Sequence, residues 1–495
     1  MNSVPNIYSH SPVARTLMWL AQCVAVGTVE FSLCGCALHR PPLHPTIVVE
    51  ALPKTLLPPT WTSVPNTENV TDDWVKTFQD TALDALVSQA IANNLDLRQS
   101  AARVEAARES VIVVGSKLKP QVNAPLSAAT TRSTDKNVTQ QKQSSAVLAE
   151  VAWEVDVWGR LRAQRAAAQE NYEATALDYA FARQSLAATT AKSWYLAIET
   201  RQLLALAQRS LNIYKELLEL VQIRRNAGKV TDLDVAEASY QLDEAQSQLT
   251  VAQGLYSEVR RTLEVLIGHY PAAELDVAKA FTPLPPPVAP GLPSSLLERR
   301  PDVVAAEHLV LAAFRTQEAA KLALLPNFSL TLEGGRLSDP LLSVLGLNPW
   351  LIHSTVGMLV PVYQGGALRA QIKIATAEEE KSVAHFGGVA LQAFDEVEVV
   401  LTNEQLLARR LPYAENAVRE HGEAVRIGDL RYKSGTMDLL SVLQLQTGQI
   451  ESQANLIKLR NTQLANRINL HLALGGSFES SPATTFPASS TQKLP

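Results

Sequence analysis

The stretch of sequence that decides the fold is WGRLRAQRAAAQENYEATALDYAFARQSLAATTAKSWYLAIETRQLLALAQRSLNIYKELLELVQIRRN, residues 158–226. From Arg160 to Asn226 it contains neither proline nor glycine. An unbroken α-helix of this length spans roughly 100 Å, at ~1.5 Å per residue. Its second half repeats small and apolar residues at the 3–4 spacing of a coiled-coil seam: Ala197, Thr200, Leu204, Ala207, Leu211, Tyr214, Leu218 and Val221. The pattern predicts a long rod that packs against a partner helix.

A suitable partner follows in the sequence after Gly228. A second helix is predicted over about 232–268, with apolar residues at strict intervals of seven and small residues in the companion position. Alanine in a seam lets two helix backbones approach closely. The apolar positions are Val235, Leu242, Leu249, Tyr256 and Leu263, and the companions are Ala238, Ala245, Ala252, Val259 and Leu266.

The whole arrangement occurs twice along the chain. Residues of one half match residues of the other at an offset of about 206 to 207, and a proline-rich linker separates the halves. The matching pairs are Asp96 and Asp302, Ala106 and Ala312, Pro120 and Pro326, Leu161 and Leu368, Gly228 and Gly435, and Gly268 and Gly475. Each half therefore predicts the same order: a helix, two strands, a very long helix, a turn and a medium helix.

The strands are predicted from two-residue alternation over about 121–133, 147–157, 328–333 and 350–363. In the second of them, Val151 and Trp153 face one way while Glu150 and Glu154 face the other. An apolar face opposite a carboxylate-bearing face suits a barrel with lipid outside and water inside, although a half-buried soluble sheet alternates in the same way. Four strands cannot close a barrel, and an open edge in lipid leaves backbone groups unpaired. Three chains would supply twelve strands and twelve helical columns.

The N-terminus reads as an export signal that ends at a lipidation site. An apolar run leads to Leu33-Cys34-Gly35-Cys36, which is similar to the Leu-x-Gly-Cys lipobox of bacterial lipoproteins, with Met1 or Met18 as the start. Cys36 would then be the acylated first residue of the mature chain, and Ala37 would permit sorting to the outer membrane. A poor signal with incidental cysteines is the alternative. Cysteine is absent after Cys36, which suits an oxidising compartment.

These patterns predict six consecutive segments. They are a signal peptide and lipobox at 1–36, an extended segment at 37–70, a first repeat at 71–282, a proline-rich linker at 283–293, a second repeat at 294–476 and a disordered tail at 477–495.

Composition and motifs argue against several classes of function. The net charge of −5 and the absence of a Lys/Arg stripe disfavour nucleic-acid binding. The nine histidines form no HExxH motif, and neither a GxSxG motif nor a P-loop is present. We therefore expect no enzyme activity, no cofactor and no metal site. A structural coiled-coil or adhesin-like envelope protein is the alternative from another class, and a periplasmic enzyme is a third interpretation without a candidate nucleophile.

The order of elements, the duplication and several motifs resemble the TolC-like outer membrane factors, in particular the NodT-type lipoproteins. Single motifs are weakly specific, but their joint order over about 36–476 is highly so. The motifs are Trp74–Phe78, Ala92–Arg98, Trp153–Arg160, Leu297–Val303, Pro361–Gly366, Arg431–Gly435 and Leu472–Gly476. The fold class implied is mainly α with a small β part. It is a TolC-like α-helical barrel continuous with a transmembrane β-barrel of 4 strands per protomer, 12 in the trimer.

The resemblance also implies a function and partners. It implies a homotrimer in the outer membrane, anchored by lipid, with a periplasmic helical tunnel that meets a periplasmic adaptor protein and an inner-membrane pump. Such a protein passively conducts small molecules, drugs or other toxic compounds to the cell exterior. The turns at Gly228, Lys229 and Val230 and at Gly435, Thr436 and Met437 would be the tips that contact the adaptor.

The resemblance places the channel gate near the second turn. The family carries an aspartate at the position of Asp429, with an apolar residue one turn earlier, here Val425. Three carboxylates converging on a trimer axis repel one another unless a cation or a basic group joins them. Arg431, or a side chain of the adjacent helix, could play that part. The second long helix also contains Pro412 and several glycines, which predict a bend.

Overall fold

A computed structural model describes residues 38–63, 70, 72–135, 138–338 and 350–479. Its first half contains helices α1 (His44–Ala51), α2 (Trp74–Thr77), α3 (Thr81–Asn93) and α4 (Leu95–Ser116), strands β1 (Gln121–Asn123), β2 (Leu126–Asp135) and β3 (Val138–Val155), and helices α5 (Arg160–Asn226) and α6 (Asp232–Leu266). The second half contains helices α7 (Pro293–Arg299) and α8 (Pro301–Leu322), strands β4 (Asn327–Ser338) and β5 (Trp350–Leu359), and helices α9 (Ala367–Ser434) and α10 (Leu439–Ala473).

The two long helices, α5 with 67 residues and α9 with 68, begin and end at matching positions of the two repeats. Each follows a strand and a glycine-containing turn, and each is followed by a helix of 35 residues. The duplicated order predicted from the sequence is therefore present. None of the described helices is both long enough and apolar enough to cross a membrane.

The strands form one antiparallel sheet in the order β1/β2, β3, β4, β5. β1 and β2 pair with the same strand and are separated only at Ala124 and Pro125, since proline has no N–H to donate to the ladder. The first predicted strand is thus one interrupted strand, and the sheet has four positions across it. Only β3 and β4 are paired on both sides in the described sheet, so β1/β2 and β5 are its two edges.

The pairing register keeps the two faces of the sheet chemically distinct. The rows Val151–Leu332 and Trp153–Leu330–Val356 lie on one face, and the row Glu150–Glu333–His353 lies on the other. The apolar face is open to the surroundings of the single chain, since Val356 is 81% exposed and Leu332 46%. The alternation predicted from the sequence is therefore a property of the whole sheet.

Contacts divide the chain into two compact units. Of the described residues, the first unit comprises those within 38–51, 105–173 and 307–385, and the second comprises those within 52–104, 174–306 and 386–479. Each unit takes a part of both repeats, so the spatial units do not coincide with the sequence repeats.

The second unit has an extensive apolar core. Trp74, Phe78, Trp194 and Tyr195 are its largest buried side chains, and alanines of α5 lie between them. Small side chains at the helix contacts allow close packing of neighbouring helices. A second apolar cluster lies next to the turns that follow α5 and α9. It combines residues of α5, α6, α9 and α10: Tyr214, Leu217, Val221, Ala238, Ala245, Tyr432, Leu439, Val442 and Leu443.

Two local expectations differ from the structure. The segment 37–70 was expected to be extended, but it contains α1, which starts at His44 next to Pro45, a favourable first-turn residue. The single helix expected before the strands of the first repeat is divided between α3 and α4, because the Asn94 side chain accepts a hydrogen bond from Leu97 N (3.0 Å) and starts α4. The tail from 480 onward, like Cys36, lies outside the described residues.

The second long helix is continuous through the region where a bend was expected. α9 continues through Pro412, the one proline inside it. Two of its glycines have a packing role, because Gly422 and Gly428 face α10. A Cβ atom on Gly428 would lie 2.6 Å from Leu445 Cδ1.

Candidate functional site

The candidate gate residues lie in the last turns of α9. Val425 is buried at 8% exposure, Asp429 is half-buried and Arg431 is exposed. The partner of Asp429 comes from α10: Gln446 Nε2 donates to Asp429 Oδ1 over 3.4 Å. Gln446 is a neutral amide, so this contact does not supply the positive charge expected beside Asp429. Among the described residues Asp429 and Arg431 form no ion pair.

The basic side chain that contacts the end of α9 is Arg224, in the first repeat. Its guanidinium lies 4.4 Å from the centre of the Tyr432 ring and donates to the Tyr432 carbonyl over 2.8 Å. A cation over an aromatic face adds to the hydrogen bond. Arg224 therefore joins the end of α5 to the end of α9. Arg224 could not be predicted from the sequence, because only the fold brings together two positions that lie so far apart in the chain.

The two turns that follow the long helices have the same backbone hydrogen bonds. Gly228 N donates to Arg225 O (2.9 Å) and Lys229 N to Arg224 O (2.9 Å). Gly435 N donates to Tyr432 O (3.0 Å) and Thr436 N to Arg431 O (2.9 Å). Both glycines have positive φ, 68° and 80°, so each closes a helix in the left-handed conformation that glycine adopts most easily.

Both turns present an exposed tip before the next helix starts. The exposed residues of the two turns are Gly228, Lys229, Gly435 and Thr436. Val230 and Met437 are half-buried and pack against the second apolar cluster. Thr231 and Asp234 form a capping box at the start of α6. Asp438 caps α10 by accepting a hydrogen bond from Ser441 N (2.8 Å). The hydrogen bonds from Ser441 hold the pKa of Asp438 below its usual range.

Above the second turn, α9 and α10 approach closely at glycine positions on both helices. Leu445 of α10 lies over Gly428, and the His421 ring of α9 lies over Gly448, where a Cβ atom would be 2.9 Å from His421 Cε1. Glycine removes the side chain that would hold the backbones apart. The segment that carries Asp429 is therefore tightly paired with α10.

The motif Leu297–Val303 forms a junction between distant parts of the chain. Arg299 donates to Val70 O (3.2 Å), Asp72 (2.5 Å) and Gly475 O (3.3 Å). Arg300 is only 4% exposed, and its charge is paired with Asp302 (2.8 Å) and Glu396 (2.6 Å). A buried guanidinium needs such partners. The motif thus has a structural role.

Solved structures share this architecture. A membrane protein from Pseudomonas aeruginosa is 27% identical and superposes with a TM-score of 0.79, covering 87% of this chain and 99% of that one. The outer-membrane channel OprN superposes with a TM-score of 0.80 over 90% of this chain and 100% of that one, at 23% identity. The channel VceC from Vibrio cholerae gives a TM-score of 0.76 at 22% identity, over 83% of this chain and 100% of that one. The expected TolC-like fold class is confirmed.

Sequence comparisons define the family. The model of the outer membrane efflux protein family matches residues 86–269 and 292–476, one match for each repeat. The pyoverdine export outer membrane protein OpmQ of Pseudomonas putida is 30% identical, with 83% of this chain and 89% of that protein covered. The toluene efflux pump outer membrane protein TtgC of the same species is 30% identical, with 82% and 85% covered.

The chain belongs to the outer membrane efflux protein family. It is an outer membrane protein that serves efflux, and the efflux function and the outer membrane location predicted from the sequence are confirmed.

Proposed function

We propose that three copies of this chain form a closed outer membrane channel of a tripartite efflux pump. The observation that supports this most directly is the sheet, whose four positions alternate in direction and whose two edges are unpaired among the described residues. Since β1/β2 and β5 run antiparallel to each other, the β5 edge of one copy can pair with the β1/β2 edge of the next. Edge pairing around a ring removes every free edge, which a sheet in lipid requires.

The proposed cargo consists of small organic molecules. OpmQ is named for pyoverdine export and TtgC for toluene efflux, so relatives of comparable similarity serve chemically different compounds. A wide aqueous duct suits such variety, because it conducts without a selective pocket. We propose that this chain likewise conducts diverse compounds delivered by an inner-membrane pump.

The proposed contact with the periplasmic adaptor is made by the two exposed tips. Gly228, Lys229 and Val230 form one tip, and Gly435, Thr436 and Met437 form the other. The matched hydrogen bonds of both turns would give the trimer six similar docking points. Cysteine at Lys229 or Thr436 should cross-link to adaptor in cells, and efficient export without any adduct at either tip would contradict this assignment.

We further propose that Cys36 carries the lipid anchor. A radiolabelled fatty acid should be incorporated by the wild type and by Cys34→Ala, but not by Cys36→Ala. Label that persists in Cys36→Ala and disappears in Cys34→Ala would move the site to Cys34.

The gate is proposed at Asp429, with Val425 as the apolar residue one turn earlier. In the trimer three Asp429 carboxylates would converge, and such a ring favours cations and repels anions. Gln446 donates one hydrogen bond to each carboxylate and adds no charge of its own to the ring.

Single-channel recording in planar lipid bilayers tests both the channel and its gate. Wild type should conduct weakly at rest and prefer cations, and Asp429→Ala should conduct more and lose part of that preference. Glu420→Ala, an exposed change on the same helix, is the matched control and should behave as wild type. A mutant identical to wild type in conductance and selectivity would exclude Asp429 from the gate.

A further inference from the structure

The N-terminal segment contacts α9 at residues that precede the gate residues along the helix. Trp61 is 2% exposed, its Nε1 donates to Pro290 O over 3.1 Å, and its ring lies 6.2 Å from that of Phe394. An indole buried with its N–H satisfied is a firm anchor, because both the apolar body and the polar atom are accommodated.

The two residues after Trp61 bind the next turns of α9. Glu398 accepts from Thr62 N (2.7 Å), Ser63 N (3.2 Å) and Ser63 Oγ (2.6 Å). One turn on, Ser63 Oγ lies 2.9 Å from Thr402 Oγ1. Gln405 Nε2 donates to Ser63 O over 2.6 Å. Hydrogen bonds to an ionised carboxylate are stronger than neutral ones. Residues 61–63 are therefore a strap along α9.

The same part of α9 is also held by α10. Asn466 Nδ2 donates to Val400 O (3.1 Å), and Gln463 Nε2 donates to Leu407 O (3.4 Å). Arg467, 2% exposed, pairs with Glu404. Buried amides that bond to helix carbonyls fix the helix backbone itself, beyond its side chains. The strap and α10 thus immobilise α9 over 394–407.

The held part of α9 ends just before its proline. Pro412 has no N–H, so it cannot donate to the carbonyl of Ala408, and the helix is weakest there. Beyond Pro412, α9 runs on to Val425 and Asp429, paired with α10 by Arg460–Glu415 (3.1 Å) and by Gln446. Along α9, the segment 394–407 that the strap and α10 hold comes first and Pro412 follows. The segment that carries the gate residues and pairs with α10 comes last.

We propose that the strap holds α9 above Pro412 so that the gate-bearing end pivots about Pro412, and that the strength of the strap sets how often the resting channel opens. This inference rests on the proposed gate at Asp429. Movement above Pro412 would spread any displacement over the whole helix. With that part held, α9 can move only at Pro412 and the gate-bearing end rests closed. A weakened strap lets α9 shift above Pro412 as well, so the gate opens more often.

The test compares single-channel opening of purified full-length variants in planar bilayers. Glu398→Ala removes the acceptor of the strap and should raise the resting open probability about tenfold, which corresponds to about 1.4 kcal/mol. Ser63→Ala, which removes only the hydroxyl contacts, should give a smaller rise and guards against misfolding of the first variant. Asp395→Ala is the matched control, since Asp395 is exposed and one turn from Glu398.

The pivot is tested by a double variant. In Glu398→Ala with Pro412→Ala the helix regains its missing hydrogen bond, and the open probability should return toward the wild-type value. A double variant as open as Glu398→Ala would overturn the pivot. Glu398→Ala and Ser63→Ala at the wild-type level, with Asp429→Ala altered, would overturn the strap and leave the gate intact. No change in any variant, Asp429→Ala included, would overturn both the gate and the inference that depends on it.

Discussion

At the scale of single residues, the histidines of the first unit show how one side chain can link stability to pH. His308 Nδ1 lies 2.7 Å from Glu170 Oε2, joining α8 to α5. The hydrogen bond to Glu170 raises the pKa of His308, burial lowers it, and the charges of Glu170, Glu173 and Glu307 raise it further. Nearby, His44 of α1 lies 2.7 Å from Glu307. The net effect is a raised pKa, so the native state binds the proton more tightly than the unfolded chain.

The sign of the pH dependence follows from that direction. A pKa raised above its unfolded value of 6.5 adds stability that is complete below about pH 6.5 and is lost as pH rises through the folded pKa. Thermal unfolding of the purified protein should therefore separate wild type from His308→Gln most at low pH and least at high pH. His269→Gln, at an exposed position, is the control for replacing a histidine and should unfold close to wild type. A His308→Gln gap that grows with pH would contradict the assigned ion pair.

At the scale of elements, the sequence predicted helix boundaries best where only one position could begin or end the helix. α5 begins at Arg160 and ends at Asn226, as expected, because Gly159 and Gly228 are its nearest helix breakers. β3 begins at Val138, whereas the strand was predicted to begin at 147. The prediction started too late because residues 138–146 are mostly polar and show no apolar alternation. The contact of Asp429 with Gln446 could not be predicted, since periodicity shows which face of a helix is apolar but not which polar side chains meet across two helices.

The sheet gives the element-scale prediction, because two adjacent glycines of β4 have opposite surroundings. A Cβ atom on Gly335 would lie 2.2 Å from Val147 O and 2.7 Å from Leu148 Cα, whereas one on Gly334 would meet nothing within 4 Å. Gly335→Ala must push β3 and β4 apart and should cost about 1–3 kcal/mol or more. Gly334→Ala should be neutral or stabilise by up to about 1 kcal/mol, because it reduces the freedom of the unfolded chain.

The midpoint of thermal denaturation in detergent measures both variants. Gly335→Ala should denature well below wild type, and Gly334→Ala at or above it. Equal midpoints for the two variants would show that β3 and β4 are not paired in this register.

At the scale of the whole molecule, two edges of one sheet must be reconciled with a lipid environment. An exposed edge presents unpaired N–H and C=O groups, which cost several kcal/mol each in lipid. β1 and β5 lie on opposite edges and run antiparallel, so identical chains can pair head to tail with the same geometry at every junction. A heterologous contact of this kind closes into a ring when its rotation fits. Pairing of like edges would instead stop at dimers.

Disulfide cross-linking across the proposed junction distinguishes these assemblies. Val122 on β1 and Val356 on β5 are both exposed and belong to rows of the apolar face, and no cysteine occurs after Cys36. Val122→Cys combined in turn with cysteine at Ile352, Ser354, Val356 or Met358 should give, at the matching register, covalent species of two and three chains and nothing larger. Val122→Cys alone should remain monomeric on a denaturing gel, because β1 never meets β1 in the ring. Cross-linked dimers of the single variant would indicate like-edge pairing, and a ladder beyond three chains would indicate a larger ring or an open chain of subunits.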